Sequence, residues 1–218
     1  MARPRLVVAS FNRAKAREIA EILSAEGLDF EVASLADFPH LTLPPETGAT
    51  FAANATAKAR HAARVTGLPA IADDSGLEVD ALGGEPGIRS ARYVEGGDDA
   101  RYLKVLDLMR DVPDEQRTAR FRCAAAYATP CRAGVPTPAE LAAPPPQTLL
   151  AEATCDGTIA REPAGSGGFG YDPIFIPSGH TVTMAQLTPD QKHAISHRGK
   201  AFRALAQMLM HRRPRSPT

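Results

Sequence analysis

The feature that most narrows the fold lies near the amino end, where the apolar rhythm changes period within a few residues. Arg5-Leu-Val-Val-Ala9 is an apolar run of strand length. Asn12 then offers an N-cap, and Ala16, Ile19, Ala20 and Leu23 fall on one helical face until Gly27 ends the pattern. A strand that passes straight into an amphipathic helix has to bury both against a common core, which predicts helices layered on a sheet.

The rest of the chain continues in that style without a regular rhythm. A helix is expected over about 50–66, with Phe51, Ala55, Ala59 and Ala62 facing inward and Gly67 and Pro69 stopping it. Ala70-Ile-Ala72 reads as a brief buried strand that runs directly into Asp73-Asp74-Ser75-Gly76, and Leu77 to Leu82 resume an extended pattern. Residues 98–111 read as a helix with Leu103, Leu106 and Met109 as its apolar face. In 118–128 Phe121, Cys123 and Ala125 alternate with Arg120, Arg122 and Ala124, the period of a strand, and a further strand is expected near 149–155. Thr188-Pro-Asp-Gln191 carries a capping-box signal. Ser196 can cap a last helix whose Phe202, Leu205, Ala206 and Leu209 share a face. The class is α/β, organised as one domain over 1–218, without the strict alternation of a doubly wound sheet. Residues 130–148, rich in proline and alanine, read as a surface insertion with no chemistry.

Composition sets limits on partners. Basic and acidic residues balance at 25 each among 218, so no overall field favours nucleic acid or a membrane surface. Cys123, Cys131 and Cys155 lack metal-type spacing and cannot pair evenly, which suits free thiols in a reducing compartment. No signal-peptide pattern opens the sequence and no apolar run reaches membrane length, so a cytosolic location is expected.

Four segments carry chemistry. Ser10-Phe-Asn-Arg-Ala-Lys15 joins a strand to a helix start, where backbone N–H groups and the dipole favour a phosphate; its lack of glycine separates it from Walker and dinucleotide loops. Asp73-Asp74 places two carboxylates together after a buried strand, a pairing that repels unless a cation or proton intervenes; Mg²⁺ suits one or two carboxylates plus phosphate oxygens. Gly168-Phe-Gly-Tyr-Asp172 sets two aromatics among glycines, open to stacking on a base. Lys192, His197 and Arg198 put three nitrogen donors around the start of the last helix. Lys58, His61 and Arg64, at helical spacing, read as a solvated face.

Together these segments resemble the inosine triphosphate pyrophosphatase family. The resemblance rests on Val8-Ala-Ser-Phe-Asn-Arg-Ala-Lys15, Glu46-Thr-Gly-Ala-Thr-Phe51 with Asn54-Ala55 and Lys58-Ala59, and Ile71-Ala-Asp-Asp-Ser-Gly-Leu77. It continues through Val79-Asp-Ala-Leu-Gly-Gly84, Pro86-Gly-Ile-Arg-Ser-Ala-Arg-Tyr93, Gly168-Phe-Gly-Tyr-Asp-Pro-Ile-Phe175 and Ser196-His-Arg-Gly199. The resemblance implies a two-lobed α/β fold around a long twisted mixed sheet with a central cleft, a homodimer, and Mg²⁺-dependent hydrolysis of ITP, dITP and XTP to the monophosphate and pyrophosphate. By the same resemblance Ser10, Phe11, Asn12, Arg13, Ala14 and Lys15 bind the triphosphate. Asp74 is the catalytic carboxylate and a metal ligand, Ser75 touches substrate, and Glu46 is the second metal ligand. Phe169, Gly170, Tyr171, Asp172, Lys192, His197 and Arg198 form the nucleoside end. The chain departs from the family at Ala53, where Glu is frequent, at Pro45, where some members have an acid, and at Phe11, where glycine is frequent. A related pyrophosphatase for other modified nucleotides and a non-catalytic nucleotide-binding module remain as alternatives.

Overall fold

The computed structural model describes residues 3–130 and 148–211. The interior of the expected insertion, Cys131 included, lies outside the described residues. Strands β1 (Arg5–Val8), β2 (Glu31–Ser34), β3 (Ala70–Val79), β4 (Thr118–Ala128), β5 (Thr148–Ile159) and β6 (Phe175–Pro177) form one sheet in the order β2-β1-β3-β4-β5-β6. β1 runs parallel to β2 and β3, while β6 is antiparallel to β5, so the sheet is mixed. The helices among the described residues are α1 (Arg13–Ala25), α2 (Phe51–Thr66), α3 (Asp98–Leu108), α4 (Pro189–Ile195) and α5 (His197–His211). None of them is long and apolar enough to cross a membrane. The chain forms two compact units and passes between them after Asp74, Cys123, Glu152 and Lys200.

The first unit is built as the opening residues predict. Leu6 and Val7 of β1 and Ile19 and Leu23 of α1 are wholly buried, each large side chain contributing about 2 kcal/mol. Asn12 caps α1 with its side-chain oxygen, and Gly27 adopts φ 79 just past the helix end. α2 lies on β1 and turns inward a face made largely of alanine: Ala55, Ala59, Ala62 and Ala63 are fully buried. Thr50 caps it through the Ala53 N–H (3.1 Å) and Gly67 ends it in the left-handed conformation. Ala53 is exposed at the third helical position, so its departure from the family costs half a capping box and leaves the interior untouched. Ala53→Glu is expected to add about 0.5 kcal/mol of stability without changing activity, which a thermal melt and a rate assay will check together.

In the second unit Leu77, Val79, Val105, Met109, Phe121, Tyr171, Ile174, Phe175 and Met184 share one core. Val105 of α3 and Met109 at its C-terminal cap are buried, while Leu103 is 52 % exposed, against expectation. The reason is geometric: steps of three residues drift around a helix, whereas the buried pair is four apart. The alternation of β4 holds at its start, where Arg120 pairs with Asp80 (2.6 Å) and Arg122 with Glu78 (3.6 Å). From Cys123 to Ala126 both faces of β4 are buried. The thiols of Cys123 and Cys155 are buried, and burial pushes that of Cys155 up. Two strands differ from expectation. β2 carries no signal beyond four residues, and β3 is one strand of ten residues rather than a short strand, a turn and a second extended piece.

Candidate active site

In the first unit the chemistry gathers where β1 ends. Val8 pairs with Ile71, and the Ala9 N–H donates to the Ile71 carbonyl (2.8 Å). Beyond that point the first chain leaves the sheet into an exposed loop, whereas β3 continues, so Asp73 and Asp74 lie within β3 and not at a strand end. Successive side chains of a strand point to opposite faces. Each carboxylate has a lysine in ion-pair contact. Lys15, in the first turn of α1, reaches Asp73 at 2.6 Å. Lys58 reaches Asp74 at 3.1 Å and Glu46 at 2.8 Å, and the Asn54 amide donates to the second oxygen of Asp74 at 2.9 Å.

Lys58 is thus a buried member of the cluster, not part of a solvated face. His61 instead turns to the Thr42 carbonyl (2.8 Å), and Arg64 is exposed. Burial disfavours the Lys58 charge, but Asp74, Asp73 and Glu46 outweigh it and hold the ammonium above its ordinary value. Asp74 is governed by its surroundings in the opposite sense. Burial lifts its carboxyl above the usual range, Lys58 and Asn54 offset this in part, and Glu46 adds to the rise.

The loop before α1 is more committed to the helix than its polarity suggests. The Asn12 side-chain oxygen already accepts from the Ala14 and Lys15 N–H groups (2.9 and 3.1 Å), and Ser10 Oγ accepts from the Asn12 N–H (3.1 Å). Arg13 points to Asp37 and the Ala36 carbonyl, away from the acid cluster. Phe11 is 48 % exposed. Lys15 is the loop cation that meets the acids.

Asp74 and Glu46 fit a divalent cation on the chemistry of their donors. Both are hard oxygen ligands, and a single ammonium already bridges them, so one cation is within reach of both. Among the described residues no cluster of three His, Cys, Asp or Glu side chains forms a closed metal cage. A site that takes its remaining ligands from water and substrate phosphate is what such a pair can offer.

The second unit holds the aromatic and nitrogen-donor residues. Asp172, buried, accepts from the Phe169 N–H (2.9 Å) and ion-pairs with Lys192. The Lys192 ammonium and the Arg198 guanidinium lie 4.9 and 5.1 Å from the centroid of the Phe169 ring, which is 53 % exposed. Gly170 donates its N–H to Asp98 (2.6 Å). Tyr171 is buried, with its hydroxyl on the Ser90 carbonyl (2.8 Å), so only Phe169 of the two aromatics offers an open face. His197 stacks on Phe121 (centroids 4.7 Å, 12° between planes), and both His197 and Arg198 are buried at the start of α5, where Ser196 accepts the Gly199 N–H (3.0 Å). Ser75, the next residue of β3 after Asp74, is half-buried and opens the second unit.

The pattern of the Ham1 family matches residues 6–208 of this sequence. The chain belongs to the Ham1 family. A dITP/XTP pyrophosphatase of Geobacillus kaustophilus is 50 % identical over 202 residues, covering 92 % of this chain and 91 % of its own. That of Escherichia coli K12 is 49 % identical over 209 residues, covering 94 % and 98 %. Among solved structures, a HAM1 protein from Coxiella burnetii is similar at a TM-score of 0.79 and 40 % identity, with 95 % of this chain and 99 % of that one covered. Two members of the acid cluster, Asn54 and Lys58, one helical turn apart on α2, are not among the expected site residues, although both lie in segments that carry the family resemblance.

Proposed function

We propose that this chain hydrolyses the α–β phosphoanhydride of ITP, dITP and XTP, releasing the nucleoside monophosphate and pyrophosphate and so clearing deaminated purines from the nucleotide pool. The observation that carries the reading is the acid cluster of β3. Adjacent aspartates, paired with lysines from two helices, stand beside the start of α1, where Lys15 offers a cation to a phosphate. Names of relatives near half identity supply the purine class.

In this reading Asp74 accepts the proton of a water that attacks the α-phosphorus. The new P–O bond forms as the bond to the β-phosphate breaks, and pyrophosphate leaves. Lys15 offsets the charge that develops on the departing pyrophosphate, and Lys58 keeps Asp74 and Glu46 together. Asp74 and Glu46 would hold Mg²⁺, which when bound would supply positive charge to the phosphate oxygens.

The second unit reads the base. Deamination turns the 6-amino donor of adenine into a 6-oxo acceptor. The side chains of His197 and Arg198, with Lys192 beside Arg198 at the Phe169 ring, are the donors assigned to the 6-oxo group. Adenine would set a donor against these donors, a mismatch worth on the order of 10⁴ in discrimination. Gly168 is needed for this arrangement: its φ is 76, and a Cβ there runs into the Asp172 carboxylate and the Lys192 ammonium. Gly168→Ala is expected to raise KM for ITP about tenfold or more, with a near-normal fold by circular dichroism. An unaltered KM would remove the Asp172–Lys192 pair from base recognition. Cytosolic location and a homodimer belong to the same proposal.

The deciding assay offers the purified protein ITP, dITP, XTP, ATP and GTP, with and without Mg²⁺, and measures pyrophosphate. Release from the first three alone, and only with Mg²⁺, is expected. Intact ITP after long incubation with Mg²⁺ would overturn the reading, and orthophosphate in place of pyrophosphate would move the cleavage to another bond.

A further inference from the structure

Asn54 is assigned neither to phosphate, base nor metal, yet it is one of the most buried polar residues of the first unit, at 2 % exposure. We propose that Asn54 is a positioning residue that sets the spacing of Glu46 and Asp74, the two carboxylates assigned to the divalent cation. The proposal rests on the metal assignment made above.

Both ends of the amide are engaged. Nδ2 donates to Asp74 Oδ2 at 2.9 Å, and Oδ1 accepts the Gly48 N–H at 2.8 Å. Gly48 lies two residues after Glu46, so one planar group ties the Glu46 segment to β3. The polarity is fixed at each end: a backbone N–H can only donate and an ionised carboxylate can only accept, which leaves asparagine the isostere that satisfies both. Aspartate in its place would set a carboxylate against Asp74.

Gly48 carries the same constraint from the other side. A Cβ there falls 2.5 Å from Asn54 Oδ1 and 2.9 Å from the Ala53 Cβ, so the segment approaches α2 as closely as it does because residue 48 has no side chain. Lys58 joins the same two carboxylates through Asp74 Oδ1, while Asn54 uses Oδ2. The amide link therefore does not depend on which cation faces Oδ1. Partners of this kind behind a metal ligand are typically worth 10- to 100-fold in metal affinity.

The test compares wild type, Asn54→Ala, Gly48→Ala and the double variant by two measurements. The first is Mn²⁺ binding followed by electron paramagnetic resonance without nucleotide; the second is the Mg²⁺ dependence of pyrophosphate release from ITP. Each single variant is expected to weaken Mn²⁺ binding, and to raise half-saturating Mg²⁺, about tenfold or more. KM for ITP at saturating Mg²⁺ should stay within about threefold, since a residue behind the ligands does not meet the nucleotide. The double variant should be no worse than Asn54→Ala, because the two changes break one link. Wild-type Mn²⁺ affinity in both single variants would overturn the proposal. If Asn54→Ala does not fold, Gly48→Ala decides alone. A wild type that binds Mn²⁺ but leaves ITP intact would defeat the pyrophosphatase reading, while the resonance comparison would still judge Asn54.

Discussion

Asp74→Asn is expected to lower the turnover of ITP by about 10³-fold or more, while the folded protein keeps nucleotide affinity within roughly tenfold of wild type. The substitution preserves shape and removes a proton acceptor and one negative charge. The new amide nitrogen faces either Lys58 or Asn54, both donors, so some stability is lost, but Lys58 retains Glu46 as a partner at 2.8 Å. Single-turnover measurement of pyrophosphate, beside equilibrium binding of ITP, separates the two effects. Activity above about a tenth of wild type would pass the proton to another group and take Asp74 out of the mechanism.

The largest loss of stability is expected away from this cluster, at Arg117. The residue is 3 % exposed, and its guanidinium bonds backbone carbonyls: Nε to Ile159 and Nη2 to Ala160, both at 2.8 Å, and Nη1 to Met109 and Val112. Its own carbonyl accepts the Ile159 N–H at 2.9 Å. One side chain thus joins the end of β5 to the segment that follows α3. Arg117→Met fills the volume of the stem but strands several buried acceptors, each costing about 1–3 kcal/mol. The expected loss is about 3–5 kcal/mol, read as a lower urea midpoint at unchanged slope. Arg117→Lys should recover little, since an ammonium cannot span a fork of carbonyls. A loss under about 1 kcal/mol in Arg117→Met would mean that water replaces the guanidinium without penalty.

Much of this architecture is legible because local signals and tertiary demands agree. Asn12, Thr50 and the Thr188–Gln191 box cap helices where the sequence places them, and β4 has its expected bounds. Where they conflict, the pattern misleads. Asp73-Asp74 breaks an apolar run, which looks like a turn, but two lysines from α1 and α2 neutralise the pair and let β3 run on. Neither lysine is near the aspartates in sequence, so no window of residues contains the reason. Lys58 looks solvated for the same cause, and the cations about Phe169 come from residues more than twenty positions away. Arg117 has no periodic signature at all, because its partners are carbonyls and any residue supplies one.

The alanine face of α2 has a consequence for catalysis. Methyl groups are the shortest side chains that still exclude water, so they allow this helix to lie close against the strand beneath it. Asn54 and Lys58 have short reaches to make, and the depth at which the helix rests decides whether they make them. A valine at Ala55 or Ala59 would touch neither carboxylate, yet it would lift both contacts at once. Reactivity here is gauged by the thickness of a layer that takes no part in the reaction.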